Sequence, residues 1–132
     1  MAGLRYEAPS TVDAAIGLLS EVDGAKVLAG GTDLLVQLRE EMIDPDLIVD
    51  IKRINETRKI EITSDHVKIG SAMTGAELGE NKELAAMWPG VIEAVELIGS
   101  WQVQGRATIG GNLCNASPAA DSVPAIIASG AK

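Results

Sequence analysis

Three observations predict an α+β fold of two lobes. Residues 1–54 alternate helical periodicity with short apolar runs, residues 55–132 open on period-two alternation before turning helical, and each half carries one glycine-bearing loop. The loops are Ala29-Gly30-Gly31-Thr32-Asp33-Leu34 and Ala107-Thr108-Ile109-Gly110-Gly111-Asn112. A chain of 132 residues, 46% of them hydrophobic, can build a core of domain size. With no Phe, one Tyr (Tyr6) and two Trp (Trp88, Trp101), that core must rest on aliphatic side chains.

The elements follow in order. Ser10, with Asp13 three residues on, reads as an N-cap, and Val12, Ile16 and Leu19 recur at helical spacing, so a helix is expected over 11–21. Asp23-Gly24 ends it. The run Lys26–Ala29 suits a buried strand, and Leu34, Leu35 and Leu38 suggest a helix over 33–41 that stops at Asp44-Pro45. A second strand is expected over 47–51. The two strands flank a helix and should run parallel, closing a first lobe at a boundary near 53–58.

Ile60, Ile62, Val67 and Ile69 alternate around Ser64-Asp65, which predicts a hairpin. Thr74 is placed to cap a short helix over 75–79, and Pro89-Gly90 precedes a longer one that buries Val91, Ile92, Val95 and Ile98 and ends near Gly99-Ser100. Residues 101–118 read as a loop. Ser117-Pro118 should open a final helix, with Ser as N-cap and Pro at the first position. That helix ends in a glycine stop at the last residues, an ending expected of a cut inside a larger protein.

Composition removes several functions. A net charge of -8 and so few aromatic residues argue against a nucleic-acid partner, which needs a surplus of cations or stacking platforms. Cys114 is the only cysteine, so a disulfide, or a zinc or iron–sulfur site made from this chain's own thiolates, is not expected. A reducing, cytoplasmic setting is the simplest fit, and no apolar run reaches the length of a membrane span. The fingerprint of nicotinamide-binding folds and the lysine loop of ATP-binding folds are both absent.

The two loops carry what chemistry remains. Gly30 and Gly31 free the backbone of Cβ atoms where a strand turns into a helix, so backbone amides can approach an anion at a helix N-terminus. Asp33 is assigned to capping that helix; Thr32 could cap or could donate to a phosphate oxygen. In the second loop Thr108, Gly110, Gly111 and Asn112 supply hydroxyl, amide and open backbone. Either loop alone is as well explained by a tight turn. The pair, with Lys26 and Arg106 beside them in an acidic chain, points to a dinucleotide cofactor whose diphosphate is gripped from two sides. His66 has no catalytic partner at a recognisable spacing and is read as a surface residue. Cys114 is read as a small packing residue, and no residue is assigned catalysis.

On Lys26–Leu34 and on Ala107-Thr-Ile-Gly-Gly-Asn-Leu-Cys-Asn-Ala-Ser-Pro-Ala-Ala-Asp121, the sequence resembles the FAD-binding subunit of molybdenum hydroxylases, the family of the carbon monoxide dehydrogenase medium chain and the xanthine dehydrogenase flavin domain. The resemblance implies the two-lobed fold of vanillyl-alcohol oxidase (PCMH-type) flavoproteins, with residues 1–54 as the first FAD-binding subdomain and 55–132 as an incomplete second. It implies that Val27, Leu28, Ala29, Gly30, Gly31, Thr32 and Asp33 line the diphosphate, and that Ala107, Thr108, Gly110, Gly111, Asn112, Cys114 and Asn115 close from the other lobe. Asp121 would take a ribose or ribityl hydroxyl, and Ile98 would pack near the flavin ring. Electrons would pass from a molybdenum cofactor on a large partner subunit, through [2Fe-2S] clusters on a small one, to FAD and an external acceptor. Family members are longer, so the fragment alone is expected to be inactive. A UDP-N-acetylmuramate dehydrogenase-like flavoenzyme and a non-catalytic domain that has lost FAD are the competing readings.

Overall fold

The computed structural model describes residues 3–132. Its first lobe is a three-stranded parallel sheet between helices. The strands β1 (Arg5–Glu7), β2 (Lys26–Leu28) and β3 (Leu47–Asp50) lie in the order β1-β3-β2, with Tyr6 opposite Ile48 and Val27 opposite Val49. Helix α1 (Val12–Glu21) joins β1 to β2, and α2 (Leu34–Arg39) joins β2 to β3. Every residue of β3 is buried, because a central parallel strand is covered on both faces. Its alternation sorts the core. Leu47 and Val49 pack with Ala15 and the partly buried Leu18 and Leu19 of α1, whereas Ile48 packs with Leu28 and Leu38.

Several boundaries differ from the sequence reading. Strand β1 was not expected; three residues with exposed Arg5 and Tyr6 give no periodic signal. Thr11, not Ser10, caps α1, accepting from the Ala14 amide at 3.2 Å. Helix α2 ends before Asp44-Pro45: Glu41 adopts φ 55° while Met42 N–H donates to Gln37 O and Glu41 N–H to Leu38 O, the 6→1 and 5→2 pair of a Schellman ending. Glu41 stands there in place of the usual glycine.

Two single-turn 3-10 segments, Ile51–Arg53 and Asn55–Arg58, lead to the hairpin β4 (Ile60–Ile62) and β5 (Val67–Ile69), antiparallel as expected. Thr74 caps α3 (Gly75–Glu80) in a reciprocal capping box with Glu77. Helix α4 (Lys82–Met87), capped by Asn81, is additional to the sequence reading, and α5 (Pro89–Glu96) follows with Pro at its first turn. The second core gathers Met73, Leu78, Leu84 and Ile92, with Ile109 against it.

The largest correction concerns 101–118. This stretch is not a loop but α6 (Trp101–Gln104) and α7 (Ile109–Asn115), so Gly110 and Gly111 sit in the first turn of a helix capped by Thr108. Tertiary contact and a good cap outweigh the poor helix propensity of two glycines. Helix α8 (Ser122–Ala128) begins later than Ser117-Pro118; Ala116 at φ 54° turns the chain after α7, and Ala120 N–H closes a separate turn on Ser117 O. Pro124 lies in the first turn of α8, where its missing N–H costs nothing. No helix among the described residues is long and apolar enough to cross a membrane.

Candidate functional site

The two lobes meet backbone to backbone at the glycine loops. A Cβ added to Gly30 would lie 2.0 Å from Arg106 O and 3.1 Å from Ala107 Cα, so only glycine lets the strand-to-helix turn of the first lobe touch the chain leading into α7. Gly31 holds φ 81°, a left-handed value that turns the chain toward α2. Gly110 packs on the second lobe's own hairpin end; its Cβ would meet Ser71 O at 2.7 Å. A cleft of about 580 Å³ opens beside this seam, between the first loop with α2 and the first turns of α7.

The cleft collects most of the residues singled out from sequence. Val27, Ala29, Gly30, Gly31, Thr32 and Asp33 line one wall, and Ala107, Thr108, Gly110, Gly111, Asn112, Cys114 and Asn115 the other, with Ile98 between them. Leu28 does not take part; it faces the core between β3 and α2, as period two requires for a residue flanked by cleft-lining Val27 and Ala29. Asp121 is exposed at the start of α8, outside the lining. Cys114 is exposed at the cleft and not packed, because α7 is a helix with one face open. Asp33 precedes α2 but makes no side-chain cap bond, which corrects the capping role read from sequence. His66 is a surface residue, 60% exposed and bonded to Thr63 and Asp65.

Sequence reasoning passed over Gln37, Ile51, Ser71 and Lys52. The first three line the cleft, brought there by helix periodicity, a 3-10 turn and the hairpin end. Lys52 secures the first loop from below: Nζ donates to Ala29 O at 2.9 Å and pairs with the Asp50 carboxylate at 2.8 Å. Asp50 also accepts from Tyr6 Oη at 2.5 Å and from the Lys52 amide at 2.9 Å. Burial alone would raise the Asp50 carboxyl, yet the hydrogen bonds from Lys52 and Tyr6 win and hold it below the usual carboxylate range, while Asp50 raises the Tyr6 phenol. A second ion pair does the same for the other lobe. Arg58 bridges Ala72 O and Glu77, and Glu77, which burial would raise, is held low by the Thr74 backbone and hydroxyl and by Arg58.

The chemistry of the cleft is that of donors. Among the described residues, the backbone N–H groups of Gly30, Gly31, Thr32, Asp33 and Leu34 find no acceptor in the protein; the hydrogen bonding of the loop resumes with Leu35 N–H to Gly31 O. Five consecutive free amides at a turn, with Lys26 in the same wall, suit an anion with several oxygens. The diphosphate of a dinucleotide fits that donor set, and the cleft volume lies in the usual range of small-molecule sites.

Comparison with known proteins shows the family. Residues 2–132 match the family described as FAD binding domain in molybdopterin dehydrogenase. The chain is 39% identical over 118 residues to the xanthine dehydrogenase FAD-binding subunit of Escherichia coli O157:H7, covering 89% of this chain and 40% of that one. It is 36% identical over 118 residues to the carbon monoxide dehydrogenase medium chain of Hydrogenophaga pseudoflava, covering 89% and 41%. In structure it resembles reconstituted CO dehydrogenase from Oligotropha carboxidovorans with a TM-score of 0.86 at 31% identity, covering 90% of this chain and 42% of that one. The chain thus spans about two-fifths of the length of the relatives it matches. The protein belongs to the family of FAD-binding domains of molybdopterin dehydrogenases, and the UDP-N-acetylmuramate dehydrogenase-like reading gives way to it.

Proposed function

We propose that this member of the family is the FAD-binding part of the flavoprotein subunit of a molybdenum-dependent oxidoreductase. The observation that carries the reading is the run of five backbone amides without an acceptor among the described residues, Gly30 to Leu34, in residues that line a cleft whose other wall is the first turn of α7. We assign the chain two FAD-binding subdomains of the vanillyl-alcohol oxidase (PCMH) type, 1–54 and an incomplete 55–132 with a boundary near 53–58, a division that the cleft between the two glycine loops supports. The first-loop amides hold the diphosphate, with Ala29 fixed by Lys52 so that the turn is rigid before binding. Thr108, Gly111, Asn112 and Asn115 close on it from the second lobe, and the buried Ile98 offers an apolar surface for the ring. Asp121 would reach a hydroxyl of the cofactor only outside the cleft described above.

FAD, when bound, supplies the redox chemistry that links donor centres to an external acceptor. The chain's own residues bind, orient and exclude water, so no general acid or base is assigned. The partners are a large subunit with the molybdenum cofactor and a small subunit with [2Fe-2S] clusters, in a cytoplasmic complex; the printed names of the relatives, among them the xanthine dehydrogenase FAD-binding subunit and the carbon monoxide dehydrogenase medium chain, support the assignment. The test is an absorbance and fluorescence scan of the intact natural subunit before and after adding FAD. Bound-flavin bands and quenched emission are expected; an intact, folded subunit that leaves FAD free in solution would overturn the reading.

A further inference from the structure

We propose that Gln37 and Ser122 are positioning residues that hold the cleft asparagines Asn115 and Asn112 with their amide nitrogens as free donors, an inference that rests on the FAD reading above. An asparagine amide offers either an acceptor oxygen or two N–H donors, depending on which way it is turned. Here both oxygens are engaged. Ser122 Oγ donates to Asn112 Oδ1 at 2.6 Å, and Gln37 Nε2 donates to Asn115 Oδ1 at 3.0 Å. Ser122 is fully buried at the start of α8, so its hydroxyl is held in place by packing.

The nitrogens are left over. Among the described residues neither Nδ2 has an acceptor and no buried side-chain nitrogen or oxygen lacks a partner, so both nitrogens reach solvent. Both asparagines line the cleft. The wall made by α7 therefore shows donors, matching the free amides of the opposite loop, and the cleft selects a ligand group that only accepts: phosphate or diphosphate oxygens. Gln37 has a particular place in this. It belongs to α2, directly behind the first loop, and its bond to Asn115 crosses between the lobes, so the first lobe orients a donor of the second.

A carboxylate at position 37 can only accept, so Asn115 must turn its nitrogen toward it and show its oxygen to the ligand. FAD is titrated into the flavin-free intact subunit by fluorescence quenching, for wild type, Gln37→Glu, Gln37→Met, and each again in an Asn115→Leu background. Gln37→Glu is expected to weaken binding about tenfold or more, the scale of one lost bond to a charged group, and Gln37→Met by less. In the Asn115→Leu background Gln37→Glu is expected to cost nothing further. Unchanged affinity of Gln37→Glu overturns the proposal, and so does a loss that persists without Asn115, which would mean direct charge repulsion. The side-chain amide resonance of Asn115 is expected to shift in Gln37→Glu with or without flavin. Failure of wild type to bind FAD with that shift present would count against the FAD reading and leave the lock standing; a resonance that does not move would overturn the lock.

Discussion

The two glycine loops look alike as strings of residues, Gly-Gly-Thr and Thr-Ile-Gly-Gly, and solve different problems. In the first, Gly31 takes a left-handed φ, Gly30 touches the opposite lobe's backbone, and five amides stay unbonded. In the second, the glycines are helical: Gly111 N–H is satisfied by the Thr108 hydroxyl at 2.9 Å, and Gly110 is small so that α7 can lie on Ser71. Glycine is thus required in one place for backbone shape and close approach, and in the other for helix packing. Similar composition does not imply similar backbone.

Substitutions at the two loops separate these roles. Gly30→Val should have the largest effect, since the new side chain collides with Arg106 backbone that cannot move without parting the lobes; a loss of about 3 kcal/mol in denaturant unfolding and no flavin retention in the intact subunit are expected. Gly111→Val should keep the fold, because its Cβ meets only the Thr108 hydroxyl, yet should abolish flavin retention by filling the cleft; equal loss of stability in both variants would erase the contrast. Thr108→Ala removes the cap of α7 and is expected to cost about 1 kcal/mol, read as a lower unfolding midpoint.

A pH series sharpens the comparison at the base of each loop. Asp50 and Glu77 have folded-state pKa values below their unfolded ones, so folding favours their ionised forms. Their contribution is fully present above the unfolded carboxylate range near pH 4 and declines as pH falls through the lower folded values. Urea unfolding between about pH 3 and 6 should show this decline, and Asp50→Asn should flatten it. The smallest effect belongs to His66→Ala, which should leave stability and flavin content unchanged, because the residue is exposed and not part of the cleft lining.

Much of the molecule is legible from periodicity and turn chemistry. The parallel unit of the first lobe, the hairpin and the Thr74 cap follow from apolar spacing and turn chemistry, and the glycines, Thr32 and Asp33 of one loop and Thr108 and Asn112 of the other from where glycines interrupt it; Val27, Ala29, Ile98, Ala107, Cys114 and Asn115 entered through the family resemblance. Errors cluster where local rules conflict with packing. Residues 101–118 are rich in breakers, and propensity reads them as loop; α7 forms because Thr108 caps it and Ile109 enters the second core. Strand β1 exists only because β3 offers an edge, and Asp33, whose type favours capping, makes no cap bond.

The sequence by itself determined the mixture of helices and strands and the placement of a glycine loop in each half, since these depend on residue type and local spacing. Only the tertiary structure decided that Gly30 meets Arg106, that Lys52 pins Ala29, and that Gln37 reaches Asn115 across 78 positions of chain. Those contacts are fixed by how two separately built cores come together, and no local spacing along the chain encodes the distance between residues that meet only after both have folded.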